Sequence, residues 1–113
     1  MKIIRRLKKN KEFQVVFKKG RSTANRQFVV YVHEQPGQPY IRLGLSVSKK
    51  MGNAVMRNHI KRLIKENFRL FSEKLELGYD LIIISRRPVR TLTYYEFQGS
   101  LKHALRKAGI VRE

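Results

Sequence analysis

A block of cationic side chains between residues 49 and 69 carries most of the chemical information in this sequence. Four of its cations recur at intervals of four residues: Arg57, Lys61, Lys65 and Arg69. In a helix, residues four apart lie on one face, so these side chains would sit together and repel each other. A solvated charged face is the alternative interpretation, but such faces usually mix Glu with Lys. The nearly pure positive sign favours an anionic ligand.

The same segment would also have an apolar face. At about 100° per residue, a helix gathers these side chains on one side: Met56, Ile60, Leu63, Ile64 and Phe71. Asn58 and Arg62 join the cations on the other side. The segment therefore predicts an amphipathic helix with a core face and a cationic face.

The loop before this helix adds a second feature that suits phosphates. Gly52 permits a positive φ or a close backbone approach, and Asn53 can cap the helix. Unpaired N–H groups at the helix start would then lie beside Lys49 and Lys50, where a phosphate could bind. The loop lacks the glycine pattern of a P-loop, so nucleotide hydrolysis of that kind is not supported.

Residues that could catalyse hydrolysis by themselves are scattered. The Asp and Glu residues stand singly, the three His show no metal-ligand spacing, and the chain has no Cys. Metal-assisted hydrolysis needs grouped carboxylates, and thiolate sites need Cys. Ser46 and Ser48 have no nearby base, and a polar sheet face explains them better. We predict no catalytic residue and no metal ligand in this chain.

The composition agrees with one folded domain that binds a polyanion. The 113 residues contain 26 Lys and Arg against 8 Asp and Glu, a net charge of +18, and 42% are apolar. That apolar fraction can form a core, and the length suits a single domain, 1–113. Nucleic acid phosphates would offset the self-repulsion, and a membrane surface is the weaker alternative.

Nothing in the sequence predicts secretion or a membrane span. Met1–Lys11 is basic but is followed by a polar segment, and the longest apolar run is Leu81–Ile84. A signal peptide needs an apolar run after its basic residues, and a span needs roughly 18 apolar residues. We expect a cytoplasmic protein without a membrane partner.

The spacing of apolar residues, together with capping and turn residues, predicts six secondary-structure elements. Three are helices, at Lys11–Lys19, Asn53–Phe71 and Tyr94–Ala108, and three are strands, at Gln27–Glu34, Tyr40–Ser48 and Asp80–Ser85. Asn10 is the predicted N-cap of the first helix, and Gly20 follows its end. A capping box of Thr93 with Glu96 begins the last helix, and Gly109 closes it.

The order of these elements predicts an α+β fold. The first two strands are expected to form a hairpin through residues 35–39, and the strand–helix–strand order suggests a parallel crossover. The expected architecture is a two-layer sandwich with three helices on a mixed sheet of about four strands. In the second strand, apolar residues alternate with Arg42, Gly44, Ser46 and Ser48, which gives the sheet one polar face.

One motif resembles a known family. The run Lys49-Lys50-x-Gly52-Asn53-Ala54-Val55-x-Arg57-Asn58-x-x-Lys61-Arg62 is similar to the signature of the bacterial ribonuclease P protein subunit. Further matches follow the family's order along nearly the whole chain: Phe13 and Phe17, Gly20-Arg21, Asn25-Arg26-Gln27-Phe28, Gly44-Leu45-Ser46-Val47-Ser48 and Tyr79-Asp80. Lys65-Glu66 stands where the family usually has Arg-Glu, which keeps the charge but not the planar guanidinium.

The resemblance implies a non-catalytic subunit of a ribonucleoprotein endonuclease. In that family the RNA subunit hydrolyses precursor tRNA with bound Mg²⁺ and removes the 5′ leader, so the expected partners are the catalytic RNA and precursor tRNA. The resemblance also implies a left-handed crossover between the parallel strands, although general connection rules predict a right-handed one.

Two RNA surfaces follow from the resemblance. The residues expected to bind the catalytic RNA are Lys49, Lys50, Asn53, Arg57, Asn58, Lys61, Arg62, Lys65 and Arg69. The residues expected to bind the leader, in a cleft beside the first helix, are Phe13, Phe17, Tyr31, Ser46 and Ser48. Core packing is the alternative for the two phenylalanines, because aromatic residues four apart on a helix often face a core.

Two other classes of protein share some of these features. A ribosomal RNA-binding structural protein would have the same size, charge and lack of Cys, but the Arg57-Asn58 motif and the paired phenylalanines argue against it. A nuclease that acts without RNA is opposed by the missing carboxylate cluster.

Overall fold

The computed structural model describes residues 3–112. Its strands are β1 (Ile4–Arg6), β2 (Arg21–Ala24), β3 (Phe28–Glu34), β4 (Ile41–Ser46) and β5 (Tyr79–Ser85). Its α-helices are α1 (Asn10–Lys19), α2 (Ala54–Leu70) and α3 (Tyr94–Lys107). Short 3₁₀ turns lie at Lys49–Met51, Ser72–Lys74 and Arg87–Thr91. The three predicted helices and three predicted strands are all present, with ends shifted by one or two residues.

The sheet has five strands in the order β1-β4-β5-β3-β2. The pairs β1/β4 and β4/β5 are parallel, and β5/β3 and β3/β2 are antiparallel. The mixed sheet, the α+β class and the parallel β4–α2–β5 connection are confirmed. The sheet has five strands where about four are expected. The two strands that the periodicity does not predict, β1 and β2, are short edge strands without a marked alternation of apolar and polar residues. The left-handed crossover stays a prediction.

The predicted hairpin between β3 and β4 is wrong, because β5 lies between these strands. The segment 35–39 instead crosses over the start of β5. Gln35 N donates to Gly78 O at 2.8 Å, and Gly78 N donates to Tyr40 O at 3.1 Å. Five residues can span two strand spacings of about 4.8 Å. The central place goes to β5 because its side chains Leu81–Ile83 are buried on both faces.

The main core lies between one face of the sheet and helices α2 and α3. Its largest buried side chains come from all three: Phe28, Leu81, Ile83, Ile64, Phe68, Phe97, Leu101 and Leu105. Helix α1 covers part of the opposite face, where Leu7, Val16 and Ile82 form a smaller cluster. The sheet with α2 and α3 thus forms the two expected layers, and α1 leaves the rest of the other face open.

Two of the three predicted N-caps are confirmed, and one is wrong. Asn53 Oδ1 accepts from Met56 N at 2.9 Å, and Thr93 and Glu96 form the expected capping box. The predicted cap Asn10 is wrong, because Asn10 lies inside the first turn and Lys9 holds the N-cap position. Glu12 satisfies this end by accepting from the backbone N–H groups of Lys8 and Lys9.

Candidate nucleic-acid interface

Helix α2 separates its apolar and cationic side chains. Ile60, Ile64 and Phe68 are buried in the main core. The side away from the core is the cationic face of α2, formed by Arg57, Asn58, Lys61, Arg62, Lys65 and Arg69. Arg57 and Lys61 are half-buried, and the other four are exposed. The helix therefore presents its charges as one continuous strip.

Within residues 3–112, the cations of this face lack counterions. Ion pairs to carboxylates in residues 3–112 involve Arg42 and Arg112, and none involves the cationic face. The Nε of Arg57 is buried, and no described residue accepts a hydrogen bond from it. A buried donor without an acceptor is unfavourable by about 1–3 kcal/mol. An anion bound along the strip would relieve the repulsion among these cations.

The turn before α2 brings two more cations to the helix start. Met51 is buried and anchors the 3₁₀ turn, which leaves Lys49 and Lys50 exposed. Gly52 has φ +133°, a conformation that other residues rarely adopt. The chain can therefore bend sharply here and begin α2 at Asn53. The predicted grouping of Lys49, Lys50 and Asn53 beside the cationic face is present.

The open face of the sheet beside α1 forms a cleft. Tyr31, Ile82 and Gly44 lie in one row across β3, β5 and β4, and α1 covers this row. In the next row, Val29, Ile84 and Ser46 are partly exposed. We call this second row, together with Tyr31 and the rings of α1 that flank it, the cleft.

The two phenylalanines of α1 occupy different positions in the cleft. Phe13 is half-buried and its ring lies over Gly44, where an added Cβ would be 2.6 Å from the ring. Phe17 is 41% exposed and meets Tyr31 edge to face, with ring centroids 4.9 Å apart. Ser46 is half-buried beside them, and Ser48 is exposed after β4. Phe17 and Tyr31 thus form an aromatic pair that solvent can reach.

Arg42 ties α1 to the centre of the sheet. Its guanidinium donates to both oxygens of Asp80, with Nε 2.8 Å from Oδ1, and also to Glu12 Oε2. The buried carboxylate of Asp80 also accepts from Gln35 and Gln38 at 3.0 and 3.2 Å. Arg42 is therefore a structural cation on the cleft face, already neutralised by protein carboxylates.

Both carboxylates of this network have lowered pKa values. Burial acts to raise the pKa of Asp80, but hydrogen bonds from Arg42, Gln38 and Gln35 outweigh it. Hydrogen bonds from the backbone of Lys9 and Lys8 lower the pKa of Glu12, with a smaller contribution from Arg42. Both groups are ionised at neutral pH, so the network is intact there.

Within residues 3–112, no three His, Asp or Glu side chains are placed to hold a metal ion. His33 lies near Gln35 and His103 near Asn25, and His59 is exposed on α2. No helix in this range is long and apolar enough to span a membrane.

Comparison with known proteins identifies the family. The family model for Ribonuclease P matches residues 1–109. The chain belongs to the ribonuclease P protein family. It is 56% identical to the ribonuclease P protein component of Bacillus pumilus over 113 residues, which cover 100% of this chain and 95% of that protein.

Solved structures of the family have the same fold. The ribonuclease P protein of Staphylococcus aureus is 48% identical, with a TM-score of 0.89 over 95% of this chain and 97% of that one. The protein from Thermotoga maritima is 30% identical, with a TM-score of 0.83 over 90% and 96% of the two chains. The expected α+β fold, with three helices on a mixed sheet, is therefore the fold of this family.

The sequence did not identify every residue of these surfaces. Val29 and Ile84 line the cleft in the same row as Ser46. The sequence does not predict that β3 pairs with β5, so it gives no sign that these residues lie side by side. Ser46, Ser48 and the two lysines of the 3₁₀ turn follow each other from the cleft to the start of α2. This segment of the chain connects the cleft with the cationic face of α2.

Proposed function

We propose that this chain is the protein subunit of a ribonuclease P ribonucleoprotein. In this assembly the RNA subunit hydrolyses precursor tRNA in the cytoplasm, and the protein holds the catalytic RNA and the 5′ leader. The observation that carries the proposal is the cationic face of α2. Its cations form no ion pair with a carboxylate of residues 3–112, and the chain belongs to this family.

The cationic face and the preceding turn are the proposed contact with the catalytic RNA. Lysine and arginine contacts to phosphates provide affinity with little base selectivity, and they release counterions when they form. The Mg²⁺ of the reaction would be held mainly by the RNA, since the described part of the chain has no group of metal ligands. The protein contributes position and charge, and no catalytic side chain.

The cleft is the proposed contact with the leader. A leader is single-stranded, and unpaired bases stack on aromatic rings with little sequence preference. Phe17 and Tyr31 offer such rings, and Ser46 and Ser48 offer hydroxyls along the path toward Lys49. Phe13 shapes the wall of the cleft over Gly44.

Reconstitution with the RNA subunit tests this function. We expect the protein to restore cleavage of precursor tRNA by the RNA at low Mg²⁺ and to cleave nothing alone. Cleavage by the protein alone would indicate a nuclease that needs no RNA. Failure to bind the RNA subunit, together with tight binding to ribosomal RNA, would indicate a ribosomal protein instead.

A further inference from the structure

A cavity of about 200 Å³ lies between β1 and the second half of α2. Its floor is apolar and consists of Leu43, Leu45 and Phe68, with Ile4 at one side. Its rim carries three cationic side chains: Arg6, Lys65 and Arg69. We call it the β1–α2 cavity. It opens on the α2 side of the sheet, so it is separate from the cleft beside α1.

The rim cations are available to a ligand. Arg6, Lys65 and Arg69 are exposed and make no ion pair within residues 3–112. Arg5, which also borders the cavity, is different because its guanidinium lies 4.0 Å from the centre of the Tyr40 ring. Apolar surface ringed by three unpaired cations complements a ligand that is apolar at one end and anionic at the other.

The edge of the sheet beside the cavity has backbone groups that no neighbouring strand in residues 3–112 pairs with. Strand β1 is an edge strand and pairs with β4 alone. Ile3 O accepts from Ile41 N, and Leu7 N donates to Leu43 O, so these odd-numbered residues bond toward β4. Backbone groups alternate in direction along a strand, so those of Ile4 and Arg6 point away from the sheet. They can bond to the edge of a bound ring.

We propose that the β1–α2 cavity binds one unpaired nucleotide of the RNA that occupies the cationic face of α2. The base enters the apolar cavity, its edge meets the β1 backbone, and the adjoining phosphate pairs with the rim cations. The volume suits one base, since sites for drug-sized ligands occupy about 300–1,000 Å³. Lys65 and Arg69 belong to both surfaces, so the cavity continues the RNA path. This inference rests on the proposed function.

The variant Ile4→Trp tests the cavity without changing any charge. The indole would fill the space that the base needs, while Lys65 and Arg69 keep their phosphates. We expect affinity for the ribonuclease P RNA to fall about tenfold, the change expected when roughly 60 Å² of apolar surface is no longer buried on binding. The slope of log affinity against log salt should stay unchanged, because no phosphate contact is removed.

A control variant separates filling the cavity from the effect of adding a large ring. Leu77→Trp adds the same ring at an exposed position outside the cavity and should bind like the unmodified chain. Thermal unfolding checks that Ile4→Trp is folded. If it is not, Leu45→Phe fills the cavity from β4 and takes its place.

Chemical probing of the RNA locates the nucleotide. One base should be protected from modification by the unmodified chain and become reactive with the filled variant, while the rest of the footprint persists. Unchanged affinity and footprint with both filled variants would overturn the cavity inference and leave the proposed function intact. If the unmodified chain itself failed to bind the RNA, the proposed function would be overturned as well.

Discussion

At the scale of single residues, neighbours decide what each aromatic ring of α1 can do. Phe13 is half-buried against Gly44 and Leu7, so its ring supports the packing of α1 on the sheet. Phe17, one turn later, keeps 41% of its surface exposed and contacts Tyr31 by an edge. Only Phe17 has both a fixed orientation and a surface that a base can reach.

The variant Phe17→Ala should therefore weaken leader binding and leave the fold intact. We expect about 1–3 kcal/mol of affinity for precursor tRNA to be lost, because a stacked base loses its partner. Mature tRNA lacks the leader and should bind the holoenzyme as before. Val15→Ala, a similarly exposed position on α1, is the control. A large loss of thermal stability with unchanged discrimination between precursor and mature tRNA would assign Phe17 to the core.

Asp80 is the buried carboxylate that pairs with Arg42 in the sheet. We expect Asp80→Asn to lower the free energy of unfolding by about 3 kcal/mol at pH 7. This value is at the lower end of the range for a broken buried ion pair, because Arg42 keeps its second ion pair, with Glu12. Urea unfolding measures this loss. Glu76→Gln, which removes an exposed ion pair with Arg112, should change stability by less than about 1 kcal/mol.

The same network predicts how stability depends on pH. The pKa values of Asp80 and Glu12 are lowered in the folded state, so their contribution is complete above the unfolded values of about 4. It is lost as the pH falls through the folded values, when the carboxylates take up protons. Urea midpoints between pH 7 and 3 should fall less steeply for Asp80→Asn than for the unmodified chain. Parallel curves would contradict this assignment.

At the scale of elements, α2 combines two functions in one helix. Its buried side holds Ile60, Ile64 and Phe68 in the core, so its axis is fixed on the sheet. The backbone positions of the cations on its other side are consequently fixed without ligand. Each long side chain still loses rotamer freedom when it binds a phosphate, at a cost of about 0.5–1.5 kcal/mol, but the helix backbone does not need to be ordered.

The double variant Arg57→Ala and Arg62→Ala tests this row. Each lost phosphate contact should lower the slope of log affinity against log salt by about one, so we expect a decrease of about two. Filter binding to the ribonuclease P RNA at several salt concentrations measures the slope. Arg87→Ala with Arg90→Ala removes the same charge from an exposed turn outside α2 and should change the slope less. Equal effects of the two pairs would mean that only net charge matters.

The elements that the sequence predicts well are those whose signals are local. Asn53 and the Thr93–Glu96 pair mark helix starts through contacts within one turn, and α2 and α3 begin where these residues predict. Strand pairing depends on distant residues, so the β3–β4 hairpin was predicted wrongly and β1 and β2 were missed. Predicting the cationic face requires only the periodicity of a helix. Predicting the floor of the cleft and the β1–α2 cavity requires the register of the sheet.

At the scale of the whole molecule, charge opposes folding. A net charge of +18 is carried on a body measuring 38 × 31 × 24 Å. The Debye length is about 30 Å at 0.01 M salt and about 3 Å at 1 M. At low salt, cations on opposite sides of the protein therefore repel each other. At high salt, only close neighbours do.

The protein without RNA should therefore become more stable as salt is added. We expect the thermal midpoint to rise by about 4–8 °C between 0.01 and 0.3 M NaCl, the shift that corresponds to about 1 kcal/mol in a domain of this size. Arg62→Glu with Lys65→Glu lowers the net charge by four and should reduce this rise. Because both side chains are exposed, the substitutions leave the core unchanged. A midpoint that is flat or falls with salt would show that local ion pairs such as Arg42–Asp80 outweigh the repulsion among the remaining cations.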